Sequence, residues 1–183
     1  MSMRIIKTAI MAEQAYELHE ARLLLLLRHC RGRGDGSIDG ITKLAKLDFL
    51  LRYPLYLERV LEKTGRKNTS VEMHDFEEDT VESKMIRFRY GPWDPRYRKW
   101  IGLLVSKGLA ETYLKGKTVY VKLTEPGAHL AEKLSEYDDL SDMDRRCKLI
   151  SKSVGAKSGT WLKDTIYDVV PELSDLPWGE EIR

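Results

Sequence analysis

The chain has 183 residues, 42% of them hydrophobic and 33% charged, with a formal net charge of +2. That length suits one core, or one core with an appendage, and excludes two full enzyme domains; the composition is that of a globular protein rather than a disordered one. The longest apolar run, Leu23 to Leu27, falls far short of the roughly 20 residues a membrane-crossing helix needs.

The start of the chain, Met1 to Lys7, carries no secretory pattern, and its only cysteines, Cys30 and Cys147, lack CxxC spacing. A cytoplasmic protein with reduced thiols is therefore expected.

In chain order, the Ala-, Leu-, Glu- and Arg-rich stretch from about Thr8 to Cys30 predicts one long helix, stopped by the glycines of residues 31–36. Those glycines do not make a phosphate loop, because no Gly-Lys followed by Ser or Thr is present. The tripeptide Arg33-Gly34-Asp35 matches an integrin-type signal, which has no role without a route of secretion. Two shorter helices follow over about Thr42 to Arg52 and Leu55 to Glu62, broken at Pro54. Residues 66–83 turn polar and acidic and read as an insertion or loop.

Residues 94–134 are the most legible part. Asp94 is placed to cap a helix with Pro95 at its first position, and Tyr97, Trp100, Ile101, Leu104 and Val105 form one apolar stripe. Gly108 can stop that helix in a left-handed conformation. Leu109 to Leu114 and Thr118 to Leu123 then read as a hairpin turning at Lys115-Gly116-Lys117, and Thr124 caps a further helix bearing Ala128, Ala131 and Leu134. Beyond it, residues 135–183 predict a helical appendage with helices across Met143 to Ser153 and Trp161 to Val170.

Charge is segregated along the chain. Glu72, Asp75, Glu77, Glu78, Asp79 and Glu82 stand together without a Lys or Arg among them, whereas Lys84 to Lys122 is strongly basic. A basic field suits an anionic partner and an acidic one suits a basic protein surface; a solvated face plus an acidic loop is the simpler alternative. The candidate DNA contacts are Arg96, Arg98 and Lys99 on the outer side of the 94–108 helix, Lys115 and Lys117 at the hairpin tip, and Arg87 and Arg89 nearby. The candidate protein contacts are Glu77, Glu78 and Asp79 in the acidic stretch and Trp161, Tyr167 and Trp178 near the C-terminus, whose apolar surface either closes the core or docks a partner. His19, His29, His74 and His129 show no metal spacing, the Asp138 to Asp144 run lacks the features of a calcium loop, and no catalytic constellation stands out. No metal, cofactor or enzymatic activity is expected.

Helix, glycine stop, hairpin and helix is the order of parts in a winged helix-turn-helix. WIGLLVSKGLAE, the hairpin and LTEPGAHLAEKL resemble the recognition helix, wing and following helix of that superfamily, and ITKLAKLDFLL resembles the helix packed against the recognition helix. The expected fold is accordingly mainly α with a small β-hairpin: a winged-helix domain over residues 1–134, with extra N-terminal and C-terminal helices. Within ESKMIRFRYGPWDPRYRKWIGLLVSKGLAE, the FRYGPWD lead-in and KGL exit resemble the middle components of bacterial ABC-three-component systems, which include Lamassu-type anti-phage operons.

That resemblance implies a non-enzymatic accessory subunit that works with an SMC- or Rad50-like coiled-coil ATPase and an effector such as a nuclease. Its basic helix and wing would face double-stranded DNA, with affinity for the backbone rather than for a sequence. A reading from a different class stays open beside it: a free, dimeric winged-helix DNA-binding transcriptional regulator.

Overall fold

The computed structural model describes residues 3–66 and 85–182, with side chains from residue 16 onward. The acidic stretch that carries Glu77, Glu78 and Asp79 lies outside the described residues. The architecture is mainly helical with a small antiparallel sheet. No described helix is long and apolar enough to cross a membrane.

Helix α1 (Met3–His29) is the spine. Its five consecutive leucines, Leu23 to Leu27, are all buried, so this helix is covered on every side at its C-terminal end. A two-residue strand β1 (Ile38–Asp39) follows the glycine loop and leads into α2 (Ile41–Arg52), which is buried from Lys43 to Leu51. Helix α3 (Pro54–Lys63) starts on Pro54 itself, the residue expected to stand as a break between the two helices.

Two short strands, β2 (Ile86–Phe88) and β3 (Gly91–Trp93), then form a hairpin that the sequence pattern does not announce. Next come α4 (Tyr97–Ser106), β4 (Ala110–Lys115), β5 (Thr118–Leu123) and α5 (Glu125–Leu134).

The order in the main sheet is β1-β5-β4, all antiparallel. Ile38 pairs with Val121, so the strand between the first two helices lies against the second arm of the hairpin that follows α4. Ala110, Val121 and Ile38 are buried on the inner side, consistent with the alternation along β5. Gly108 takes φ +69, and the Leu109 N–H donates to the Leu104 carbonyl at 2.9 Å, closing α4 as a glycine stop should.

Thr124 caps α5 as expected, its hydroxyl accepting from the Gly127 N–H at 3.1 Å. Gly127 is required there because the backbone at Leu109 crosses so closely that a Cβ would overlap the Leu109 carbonyl.

The C-terminal segment is helical, but it is not a separate appendage. Helix α6 (Ser141–Ile150), a π-helical turn (Ser151–Gly155), α7 (Gly159–Val169) and α8 (Glu172–Asp175) follow one another. Cys147, Ile150, Val154, Leu162 and Ile166 belong to the same apolar cluster as the leucines of α1 and α2. Apolar residues spaced along these helices find their partner surface on α1, α2 and α3, which is why the boundary at residue 135 does not become a domain boundary. The tail then returns beside β2: the Arg87 N–H donates to the Glu180 carbonyl at 2.9 Å, and the Ile182 N–H to the Met85 carbonyl at 2.7 Å.

Two glycines near the sheet should respond in opposite ways. Gly127→Ala forces the α5 start away from the hairpin base and costs about 1–3 kcal/mol of stability. Gly102→Ala on α4, where nothing lies within 4 Å of the added methyl, raises stability by up to about 1 kcal/mol. Urea unfolding of the two variants checks both signs.

Candidate nucleic-acid and partner interface

The position of α4 is set by a buried ionic cluster that sequence patterns do not reveal. Asp48 on α2 is fully buried, and Arg22 on α1 donates to it from Nε at 2.5 Å and from Nη2 at 3.3 Å. Arg52, one turn on, pairs with Asp48 at 3.0 Å and with Asp94 at 3.1 Å. Asp94 in turn accepts from Arg96 Nε at 3.0 Å and Nη2 at 2.8 Å. The Tyr97 hydroxyl donates to Asp48. All three guanidinium groups stand over the Trp100 ring, at 5.7 Å for Arg22, 5.3 Å for Arg52 and 4.9 Å for Arg96. Helices α1, α2 and α4 are thereby clamped around one indole.

This cluster corrects the expectation for Asp94. The residue accepts a cap-like hydrogen bond from the Arg96 N–H at 3.0 Å, but the helix does not start at Pro95 and the carboxylate has a second task. Its carboxylate is engaged by Arg52 and by the Arg96 side chain and N–H, and α4 begins only at Tyr97. The apolar stripe otherwise holds, since Tyr97, Trp100, Ile101 and Leu104 are buried, but Val105 is 40% exposed at the end of the helix.

Burial pushes the Asp48 carboxyl up, yet the neighbouring Arg22 and Arg52 outweigh it and hold it below the ordinary carboxylate value. Asp94 is held down in the same way: burial opposes, while the Arg96 and Arg52 hydrogen bonds prevail. His19 lies against Trp100 with ring centroids 4.2 Å apart, and its Nδ1 has no hydrogen-bond partner among the described residues. Burial first, and then the charges of Arg22, Arg52 and Arg96, hold its pKa down to about 3. With three guanidinium groups facing two carboxylates, a further positive charge is unwelcome here.

The seven candidate DNA contacts separate into two groups. Arg87 is a structural residue: its guanidinium donates to the Leu176 carbonyl and ties the C-terminal tail to β2. Arg96 belongs to the ionic cluster, although its side chain is 40% exposed. Lys99 is tied to α1, donating to the Tyr16 hydroxyl at 2.8 Å and lying 4.4 Å from the centre of that ring. Just past the far end of α4, Lys107 is likewise held by Glu20 on α1 at 2.5 Å. Helix α1 therefore occupies one flank of α4 and uses two of its cations. Arg98 on α4 and Lys115 and Lys117 at the hairpin tip are exposed, with no ion-pair partner among the described residues. Arg89 is exposed in the β2–β3 turn, 5.5 Å from the ring of Tyr90.

The glycine loop gains a role that the sequence does not suggest. The Tyr113 hydroxyl on β4 donates to Asp35 at 2.7 Å and lies 3.0 Å from Ser37 Oγ. Hydrogen bonds from Ser37 and Tyr113 hold the Asp35 carboxyl down to about 2. Asp35 of the Arg-Gly-Asp tripeptide thus fastens the loop to the hairpin, and exposed Arg31 and Arg33 are carried with it.

Of the candidate protein contacts, Trp161 is half-buried with Lys157 5.0 Å from its ring, Tyr167 is half-buried with its hydroxyl 3.5 Å from the Phe88 carbonyl, and Trp178 is 66% exposed.

An open groove between the end of α1 and the start of α5 is lined by Arg28, Arg31, His29 and His129 together with Glu125 and Glu132. Its arginines and glutamates balance, with Arg28 and Glu132 at 3.6 Å, so it has no preference for an anion. Among the described residues no group of three or more His, Cys, Asp or Glu is placed to hold a metal ion. Comparison with protein-family models, with curated proteins and with solved structures finds no match to this chain.

Removing one partner of the ionic cluster leaves buried charge uncompensated, so Asp48→Asn should cost about 3–5 kcal/mol in urea unfolding. The pH dependence has its own signature. Between its ordinary value and about 3, His19 takes a proton in the unfolded chain but not in the folded one. The stability it permits is complete above pH ~6.5 and is lost as pH falls toward 3. The depressed Asp48 and Asp94 add their loss only below the ordinary carboxylate range. His19→Gln should therefore flatten the stability profile between pH ~6.5 and ~4, read from unfolding midpoints across that range.

Proposed function

We propose that this chain is a winged-helix subunit without chemistry of its own, which contacts the DNA backbone through α4 and the β4–β5 wing and joins a larger assembly through protein contacts. The observation that best supports the reading is the strand order β1-β5-β4, in which a strand between the first two helices pairs with the far arm of the hairpin after α4. Apart from α3 and the β2–β3 hairpin, which stand between α2 and α4, the succession helix, strand, helix, α4, hairpin and α5 resembles that of a winged helix, a reading in which α4 would take the recognition position and β4–β5 the wing.

The free cations favour backbone contact. Arg98, Lys115 and Lys117 can meet phosphates, while the rest of the outer side of α4 offers Gly102, Val105 and Ser106 and no Asn or Gln, so Arg98 is the one base-reading Arg fork it presents free of an ion pair among the described residues. Such binding is insensitive to sequence and weakens as salt rises.

The FRYGPWD lead-in and KGL exit, with their resemblance to the middle components of ABC-three-component systems, further suggest the assembly: an SMC- or Rad50-like ATPase in an anti-phage defence complex, with any nuclease activity residing in another subunit. Several residues of that lead-in have structural work, since Asp94 is a buried counter-ion and Trp93 packs 5.3 Å from Tyr97. A shared lead-in would then mean a shared way of seating α4.

The triple variant Arg98→Ala, Lys115→Ala and Lys117→Ala should bind duplex DNA more weakly at low salt by a similar factor for every sequence. Its salt dependence should flatten by roughly one in log–log slope for each phosphate that is no longer neutralised. Fluorescence anisotropy with unrelated duplexes measures both. Unchanged affinity would reject the assigned face, and a loss confined to one duplex would favour a sequence-reading regulator. Co-expression with a coiled-coil ATPase encoded beside it tests the assembly, which fails if the two do not co-purify.

A further inference from the structure

The β2–β3 turn, the outer side of α7 and the C-terminal tail meet on a face remote in sequence from the wing. Phe88, Tyr90 and Trp178 are 44%, 52% and 66% exposed. They are neighbours through the backbone: the Gly179 N–H donates to the Arg87 carbonyl at 2.8 Å, placing Trp178 beside β2, and the Tyr167 hydroxyl reaches the Phe88 carbonyl from α7. Three large aromatic side chains thus stand out into water around one short hairpin, and aromatic residues with arginine are the common anchors of protein interfaces.

The charges around them indicate what covers them. Arg89 has no carboxylate partner among the described residues, and its guanidinium stands over Tyr90. Lys163 on α7 has only the neighbouring, exposed Asp164 at 3.4 Å among the described residues. Behind both, Lys46 on α2 is buried with its aliphatic chain under Gly91. Its ammonium donates to the Thr42 carbonyl at 3.0 Å and forms no ion pair with a described carboxylate. Burial, and then the charge of Lys163, hold its pKa down to about 8.

The geometry points to a docking surface for a protein segment that carries an acidic side chain next to aromatic or aliphatic ones, the carboxylate meeting Lys163 and Arg89 and the apolar residues covering Phe88, Tyr90 and Trp178. A nucleic-acid strand suits the face less well. Exposed Glu180 and Glu181 run along the tail beside β2, and Asp164 flanks Lys163, so a continuous polyanion would meet repulsion where a single carboxylate does not.

This proposal rests on the reading of the chain as a protein-binding subunit, but not on its binding DNA. The full-length chain is used to select from a phage-displayed library of random linear peptides, and the winners are synthesised and titrated. Selected peptides should carry Asp or Glu beside Phe, Tyr, Trp or Leu. Their affinity should fall about tenfold or more on the double variant Arg89→Glu, Lys163→Glu, and part of it should return when the peptide acid is exchanged for lysine.

Tyr90→Ala and Trp178→Ala, at exposed positions that leave the thermal midpoint unchanged, should weaken the same peptides. Selection of neutral or basic peptides, binding indifferent to these variants, or no saturable peptide at all overturns the proposal. So does binding of a single-stranded oligothymidylate that the double variant abolishes, which would make the face a nucleic-acid site. Absence of peptide binding with duplex binding intact removes this surface and leaves the wing reading standing. The converse result removes the wing reading alone.

Discussion

Asp48 is the point on which the arrangement of this molecule turns. A carboxylate with no access to water costs several kcal/mol to desolvate, and it is tolerable only where charge and hydrogen bonds converge on it. Here Arg22 comes from α1, Arg52 from the next turn of α2, and the Tyr97 hydroxyl from α4. Moving any of these helices by a turn would leave a buried charge without its partner. Apolar packing alone is forgiving of such slips, because one leucine can replace another against a neighbouring helix. The ionic cluster is not forgiving, so it selects one docking of α4 from the several that a stripe of Tyr, Trp, Ile and Leu would permit.

That cluster and contacts to α1 together determine which charges remain for the outside. Arg96 turns back to Asp94 and lies over Trp100, and Lys99 and Lys107 are drawn to Tyr16 and Glu20 on α1. A helix that looks generously cationic in sequence therefore presents Arg98 as an exposed cation with no internal contact among the described residues, beside an exposed Lys99 held to Tyr16 and the two lysines at the hairpin tip. The Lys107–Glu20 pair joins a half-exposed lysine to a buried carboxylate. Its effect here, with that of Arg96 and Asp94, is on the field: each pair offsets a cation on the surface offered to a polyanion. The proposed DNA contact is correspondingly modest in charge.

Much of this was legible in the sequence, for definite reasons. The helix stop at Gly108, the hairpin around Gly116 and the Thr124 cap rest on local chemistry, because a left-handed residue, a tight turn and an N-terminal hydroxyl each act within a few residues. Helices α1, α2 and α3 were legible for the same reason. What escaped was non-local. Strand β1 has two residues and exists because β5 lies beside it, and β2 and β3 have three each. No alternation can be read over so short a span. Asp94 is only half legible: its hydrogen bond from the Arg96 N–H is local, whereas its role as a buried counter-ion depends on Arg52, 42 residues away.

The candidate site shows the same division. Lys115 and Lys117 sit at a tip defined by a local turn, so their exposure could be anticipated, whereas Arg87 serves the C-terminal tail, 89 residues on, and could not be distinguished from Arg89 by pattern. Charge counting along a chain weighs every cation equally, but folding engages some of them internally. The physical signal that could have separated them is the company of aromatic residues. Arg96 stands four residues before Trp100, just ahead of α4, and its guanidinium lies over the indole although the side chain is 40% exposed, while Arg98 is turned away from that ring by the helical repeat and stays in water. A basic helix in a small core is therefore better judged by which of its cations share a face with its aromatics than by their number.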